Sequence, residues 1–346
     1  MVRAEVIAGG RPVREVLAWS RGLVDPALRA AVDTLPASMR RIAGYHLGWW
    51  DEHGRPTESD SGKAIRPALA LLAAQAVCGS PATAVPGAVA VELVHNFSLL
   101  HDDVMDGDQV RRHRPTAWAV FGRSAAILAG DALLTWAFDV LAGSGHPATR
   151  EAMRMLSAAV LELVDGQNAD ITFEERGDVD LPECLNMAAH KTGALLGCAC
   201  AVGGLFGGGR PEQVAGLRRF GADLGLAFQH VDDILGIWGD PALTGKPVYS
   251  DLYNRKKSLP VVAALSSGTP AGHELAALYR GDQPLPATEL ARAAELVELA
   301  GGRAWSQAQA DELLARALRH LAAADPIAGA AAELAALARL ATRRDH

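Results

Sequence analysis

Aromatic residues make up only 5% of the 346 residues, and no stretch alternates apolar and polar side chains as a half-buried strand would. Ala and Leu crowd the chain instead, and they favour helix, whereas strands draw on β-branched and aromatic side chains. Cysteine is scarce: Cys78, Cys184, Cys198 and Cys200 form no C-x-x-C pair. That spacing excludes a zinc or redox motif, and a chain of this length needs no disulfide staples, so free thiols in a reducing cytoplasm are expected. Positive charge is outweighed, with 33 Lys and Arg against 40 Asp and Glu and a net charge of −7, a poor balance for general nucleic-acid binding. The N-terminal residues contain no apolar run of signal-peptide length. Two uncharged stretches invite a membrane reading. Residues 68–91 are broken by Gly79, Ser80, Pro81 and Pro86, and residues 192–209 are rich in glycine, so buried helix is expected for both. No G-x-G-x-x-G follows a strand. Gly239 to Lys246 departs from a P-loop by one residue of spacing and by Pro247 in the Ser/Thr position.

What is present is helical periodicity, block after block. Apolar spacing predicts helices over 37–50, 66–78, 82–106, 123–142, 147–173, 181–206, 211–236, 258–266, 270–280, 287–300 and 303–343, with Gly, Pro and Asp between them. No linker is long or polar enough to divide domains. The expectation is one all-α bundle over residues 1–346 with a central active-site cavity. The Ala-rich end beyond about residue 270 carries no evident chemistry.

Chemistry concentrates at two acidic helix ends. The first reads Leu99-Leu100-His101-Asp102-Asp103-Val104-Met105-Asp106, after an apolar helix. Asp102 and Asp106, four apart, share one face, and like charges there destabilise a helix, most of all at its negative end. A divalent cation compensates economically, and oxygen-only ligands select a hard ion such as Mg2+. The second end reads Phe228-Gln229-His230-Val231-Asp232-Asp233-Ile234-Leu235-Gly236, with glycine where a third carboxylate would stand. Two such ends facing one cavity would hold a metal cluster between them. Cations accompany both: Arg111 and Arg112 follow the first, and Lys246, Lys256 and Lys257 follow the second. Lys63 and Arg66 open another helix, whose N-terminus favours an anion. His95 lies seven residues before Asp102 and shares its face. Carboxylates, Mg2+ and many cations together make a polyphosphate site. His101, His113, His190 and His230 lack metal-ligand spacing and are read as structural.

The set GKAIRP, VELVHNFSLLHDDVMDGDQVRRHRPT, GDALL, Gly166-Gln167 with Asp170, HKTGALLG, FQHVDDILG and GKPVYSDLYNRKKSLP, in this order from about Gly62 to Pro260, resembles the trans-isoprenyl diphosphate synthases. The resemblance implies the isoprenoid synthase fold, a homodimer, and dependence on Mg2+, with three ions per site. It implies that Lys63, Arg66, His95 and Arg112 hold isopentenyl diphosphate. Arg111, Lys191, Thr192, Gln229, Lys246 and Lys256 would hold the diphosphate of the allylic partner. Asp102, Asp106 and Asp232 would be the principal metal ligands, with Asp103 and Asp233 in support. Asp102, Asp106, Asp232, Arg111, Lys191 and Lys246 would carry the catalytic charge. Gly236 departs from the family pattern and puts metal affinity in question.

In the mechanism so implied, Mg2+ and cations stabilise departing pyrophosphate, an allylic carbocation forms in an apolar cavity, and the isopentenyl double bond attacks it. Phe97 and Ser98, five and four residues before Asp102, resemble the tunnel floor of twenty-carbon synthases. Geranylgeranyl diphosphate is therefore the expected product, and farnesyl diphosphate the alternative. A terpene cyclase would not need Lys63, Arg66, His95 and Arg112. A non-catalytic synthase subunit could have lost an aspartate cluster or its cations, and neither is lost here.

Overall fold

The computed structural model describes residues 10–57, 62, 64–241, 247–280 and 284–342. Lys63 and Lys246 lie outside the described residues. Sixteen α-helices, one π-helical turn and a β-hairpin of two two-residue strands make up the described elements. They run α1 Val13–Asp33, α2 Ala37–His46, α3 Ile65–Ala76, α4 Pro81–Met105, β1 Val110–Arg111, β2 Arg114–Pro115, α5 Ala117–Phe121 and α6 Arg123–Ala142. Then follow α7 Thr149–Glu175, α8 Leu181–Ala188, the π turn Ala189–Gly193, α9 Ala194–Phe206 and α10 Pro211–Trp238. The last are α11 Ser250–Tyr253, α12 Leu259–Leu265, α13 Pro270–Leu278, α14 Ala287–Leu299, α15 Gly302–Ala323 and α16 Ala328–Thr342. The chain is all-α, as its composition and periodicity predict.

The chain folds into two compact units interleaved in sequence. The first comprises residues up to Ala158, Cys198–Arg218 and Leu321–Leu337. Its core is built on α3 and α4, where Leu69, Leu71, Leu72, Leu93 and Leu100 are fully buried. The run from Ala68 to Ala74 is continuously apolar because this part of the helix is enclosed on all sides. The second unit comprises Ala159–Gly197, Arg219–His320 and residues from Ala338. One of its cores joins Ile237, Leu252, Val261, Leu275, Leu285, Leu296 and Val297.

Several elements depart from the sequence reading. Helix α1 is absent from it, although Val16, Ser20, Val24, Leu28 and Val32 are buried at four-residue spacing. Pro26 lies inside α1 and masks its pattern. The hairpin and α5 are too short to leave a periodic signal. The helix expected over 303–343 is two, α15 and α16, parted where Asp325 takes φ +50° before Pro326, which has no N–H to continue a helix.

Two helices, α4 and α6, are long and apolar enough to cross a membrane. About 67% of the apolar window of α4 is buried within the protein, and 33% of that of α6. Cys184, Cys198 and Cys200 are buried free thiols, and Cys78 is exposed.

Candidate active site

In the first unit, α4 ends on its acidic cluster with Asp106 as the C-cap, its N–H donating to the Asp102 carbonyl at 2.8 Å. Asp102 and Asp106 lie one turn apart, half-buried and exposed respectively. Asp103 turns inward and is 1% exposed. Its Oδ1 accepts from Arg111 Nε at 2.6 Å, while its Oδ2 is buried without a partner. Burial pushes its carboxyl up to about 6, against the pull of Arg111. A pair of carboxylates one turn apart at a helix end fits a hard cation. Among the described residues, no three His, Cys, Asp or Glu side chains gather tightly enough to hold an ion by themselves. Such an ion needs oxygens from elsewhere, as from a phosphate.

The β1–β2 hairpin delivers the arginines. Its turn residues Arg112 and His113 take φ +50° and +61°, a left-handed conformation costly for residues with side chains. The Arg112 guanidinium lies against Gly62, where a Cβ would stand 2.6 Å from Nη2. Gly62 has φ +91°, so glycine is required there twice over. Its carbonyl accepts from Arg21. Arg66 Nη1 meets His95 Nε2 at 3.1 Å, and since a guanidinium only donates, the ring accepts. Burial, then Arg66, Arg112 and Arg111, hold His95 well below its ordinary value. The structure therefore gathers Arg66, His95, Arg111 and Arg112, as the sequence suggested. His46 also acts on His95 and is absent from the sequence reading, which had no spacing or motif to find it.

Phe97 is 6% exposed and meets His101 edge-to-face, with centroids 4.7 Å apart. His101 packs on Gly130, where any Cβ would collide with the imidazole, and its Nε2 lies 2.9 Å from the Ile127 carbonyl. The glycine of GDALL thus makes room for His101 behind Phe97, a structural role for this histidine. Ser98 is 9% exposed and donates to the His95 carbonyl at 2.8 Å.

In the second unit, Lys191 and Thr192 sit on the π turn between α8 and α9. Such insertions re-aim side chains and recur at functional sites. Thr192 Oγ1 donates to Gln229 Oε1 at 2.5 Å, Gln229 Nε2 donates to Asp233 Oδ1 at 2.7 Å, and Leu259 N–H donates to Asp233 Oδ2 at 2.9 Å. Both oxygens of Asp233 are thus engaged. Burial pushes its carboxyl up to about 7, with Lys256 opposing and Asp251 adding. Lys191 Nζ donates to Asp170 Oδ2 at 2.6 Å. Burial would raise Asp170, but Lys256 and Lys191 together hold it below its ordinary value. Asp232 is exposed beside this network. Lys191, Thr192, Gln229, Asp233 and Lys256 thus form one connected cluster.

Gly236 has a steric reason. A Cβ built there would collide with the Asp251 carboxylate, and Ser250 Oγ donates to the Gly236 carbonyl at 3.2 Å. The position that lacks a carboxylate of its own has one pressed against it from the following loop.

A family model described as polyprenyl synthetase matches residues 49–297. The (2E,6E)-farnesyl diphosphate synthase of Mycobacterium tuberculosis is 51% identical over 298 residues, covering 85% of this chain and 83% of that protein. The geranylgeranyl diphosphate synthase of the same organism is 46% identical over 333 residues, covering 96% and 94%. A crystal structure of polyprenyl synthetase from Streptomyces coelicolor superposes with a TM-score of 0.90 at 46% identity, covering 96% of this chain and all of that one. With its all-helical isoprenoid synthase fold, this chain belongs to the polyprenyl synthetase family.

Proposed function

We propose that this prenyltransferase joins isopentenyl diphosphate to an allylic diphosphate with Mg2+ and releases geranylgeranyl diphosphate. The observation that carries this reading is the grouping of Arg66 and Arg112 on His95, with Arg112 against Gly62, in the same unit as the acidic end of α4. A cyclase working on one diphosphate has no use for a second cationic pocket.

Arg66, His95 and Arg112, with Lys63, hold the homoallylic diphosphate and orient its double bond. Arg111, Lys191, Thr192, Gln229, Lys246 and Lys256 receive the allylic diphosphate. Asp102, Asp106 and Asp232 would hold the metal, which when bound supplies positive charge to the departing pyrophosphate. Asp103 and Asp233 support them from beneath, the one by fixing Arg111 and the other by fixing Gln229. Arg111, Lys191 and Lys256 stabilise the negative charge that develops as the allylic C–O bond breaks. Apolar walls keep water from the carbocation until the isopentenyl double bond attacks. The released pyrophosphate takes the final proton, so no side chain acts as nucleophile.

Phe97 backed by His101, with the small Ser98 beside it, supports the twenty-carbon product. The 51% identity to a farnesyl diphosphate synthase favours the fifteen-carbon alternative. Exposed Ile127 and Leu128 on α6 support a homodimer, since apolar side chains on an exposed helix face suit a partner surface. The test is incubation of the purified protein with Mg2+, isopentenyl diphosphate and each allylic diphosphate, with products identified by mass. A twenty-carbon diphosphate is expected. A fifteen-carbon end product selects the alternative, and absence of elongation overturns the reading.

A further inference from the structure

His46, the last residue of α2, lines a small pocket with Tyr45, Asp103, Arg111, Arg112 and Arg114. The pocket holds about 30 Å3, room for a water or one phosphate oxygen. Burial first, then Arg111 and Arg112, push the His46 ring down to about 3, opposed by a hydrogen bond with Asn96. The neutral ring is therefore the resting form.

The Asn96 amide donates to the Glu92 carbonyl at 2.8 Å and to Glu92 Oε1 at 3.2 Å. With both amide hydrogens engaged, Asn96 has only its oxygen to offer His46. His46 Nε2 is buried and has no hydrogen-bond partner. A desolvated polar nitrogen without a partner is costly and rare in folded proteins. Arg114 does not serve it: its Nη1 and Nη2 donate to the Tyr45 and Trp50 carbonyls at 3.2 and 3.1 Å. The Arg111 Nε donates to Asp103.

The surroundings select the missing ligand. Arg111, Arg112 and Arg114 face one carboxylate in this pocket, so an anion is favoured. Its oxygen must also share a hydrogen with Nε2. A phosphate oxygen meets both demands: it brings negative charge to the arginines and accepts a hydrogen from Nε2 in the neutral tautomer that carries one there. We propose that His46 is a further substrate-binding residue, contacting a diphosphate oxygen of isopentenyl diphosphate beside Arg112 and His95. This rests on the two-diphosphate reading above and adds to it a residue that no motif marks.

The test compares His46→Phe, which keeps a ring and removes the nitrogens, with His46→Gln, which restores a polar group. Steady-state kinetics with each substrate varied are paired with calorimetric titration of isopentenyl diphosphate alone. His46→Phe is expected to raise the KM and Kd for isopentenyl diphosphate about tenfold or more, the scale of one hydrogen bond to a charged group. The KM for the allylic diphosphate should stay within about twofold, and His46→Gln should recover part of the loss. Unchanged isopentenyl diphosphate affinity in both variants overturns the proposal, as does an equal rise in both KM values. Should His46→Phe fail to fold, His46→Gln alone decides by the same two criteria. Wild-type protein that neither binds nor elongates isopentenyl diphosphate would instead overturn the underlying reading, and that outcome is seen before any variant is made.

Discussion

The two acidic helix ends carry the same Asp-Asp pair, yet the fold uses the pairs differently. At the end of α4 the inward carboxylate, Asp103, is held by a charged partner, Arg111, and keeps one oxygen unpaired. At the end of α10 the inward carboxylate, Asp233, is held by an amide and a backbone N–H, and neither oxygen is spare. The outward groups differ too. The first end shows Asp102 and Asp106 one turn apart, and the second shows Asp232 alone, with Asp251 pressed on Gly236 where a third carboxylate would begin. One motif, written twice, gives one end built to present paired carboxylates and another built to hold a hydrogen-bonded floor beneath a single one.

The sharpest way to break this comparison is at the outward positions. Asp102→Ala should lower turnover by about a thousandfold or more while leaving the thermal midpoint nearly unchanged, because a carboxylate at the negative end of a helix contributes little to stability. Arg111→Ala should cost as much activity and also lower the midpoint, because it strips the partner from buried Asp103. Turnover near the wild-type rate in either variant removes that residue from the site.

Gly236→Asp, which restores the commoner pattern, should lower activity about tenfold and reduce the midpoint by several degrees, since the new side chain collides with Asp251. Adding Asp251→Gly should recover part of both losses. A gain in activity from Gly236→Asp alone would show that Gly236 is a lost ligand rather than a packing requirement.

Smaller still is the pH effect of Asp233. Its folded value of about 7 stands above the ordinary 3.8, so the folded metal-free protein holds this proton more tightly than the unfolded chain. The group therefore adds stability below about 4, and that contribution is lost as pH rises through about 7. Asp233→Asn should flatten this decline, measured as the thermal midpoint between pH 4 and 8. An identical slope in both proteins would contradict the burial argument. Phe97→Ala should alter the rate least and lengthen the product, and an unchanged product would take Phe97 out of the tunnel floor.

The helices and the acidic ends were legible because their signals are local. Four-residue apolar spacing marked α4 and α10, and paired aspartates after an apolar run marked their ends. The reading of Lys191 and Thr192 came from the HKTG resemblance, and the π turn that re-aims them has no signature in spacing. Asp251 and His46 were invisible for another reason. Their roles come from what lies against them, Gly236 in one case and Asn96 with three arginines in the other, and sequence distance carries no trace of such contacts. Gly236 looked like a loss in the sequence and is explained in space.

The most direct measurement follows pyrophosphate release by the purified protein with the allylic diphosphate alone, and then with isopentenyl diphosphate added, in each case with Mg2+ and with excess chelator. Release that needs Mg2+ and rises steeply when the homoallylic substrate is added is the result that the proposed function predicts. Release from the allylic diphosphate alone at the full rate, indifferent to isopentenyl diphosphate, would contradict it.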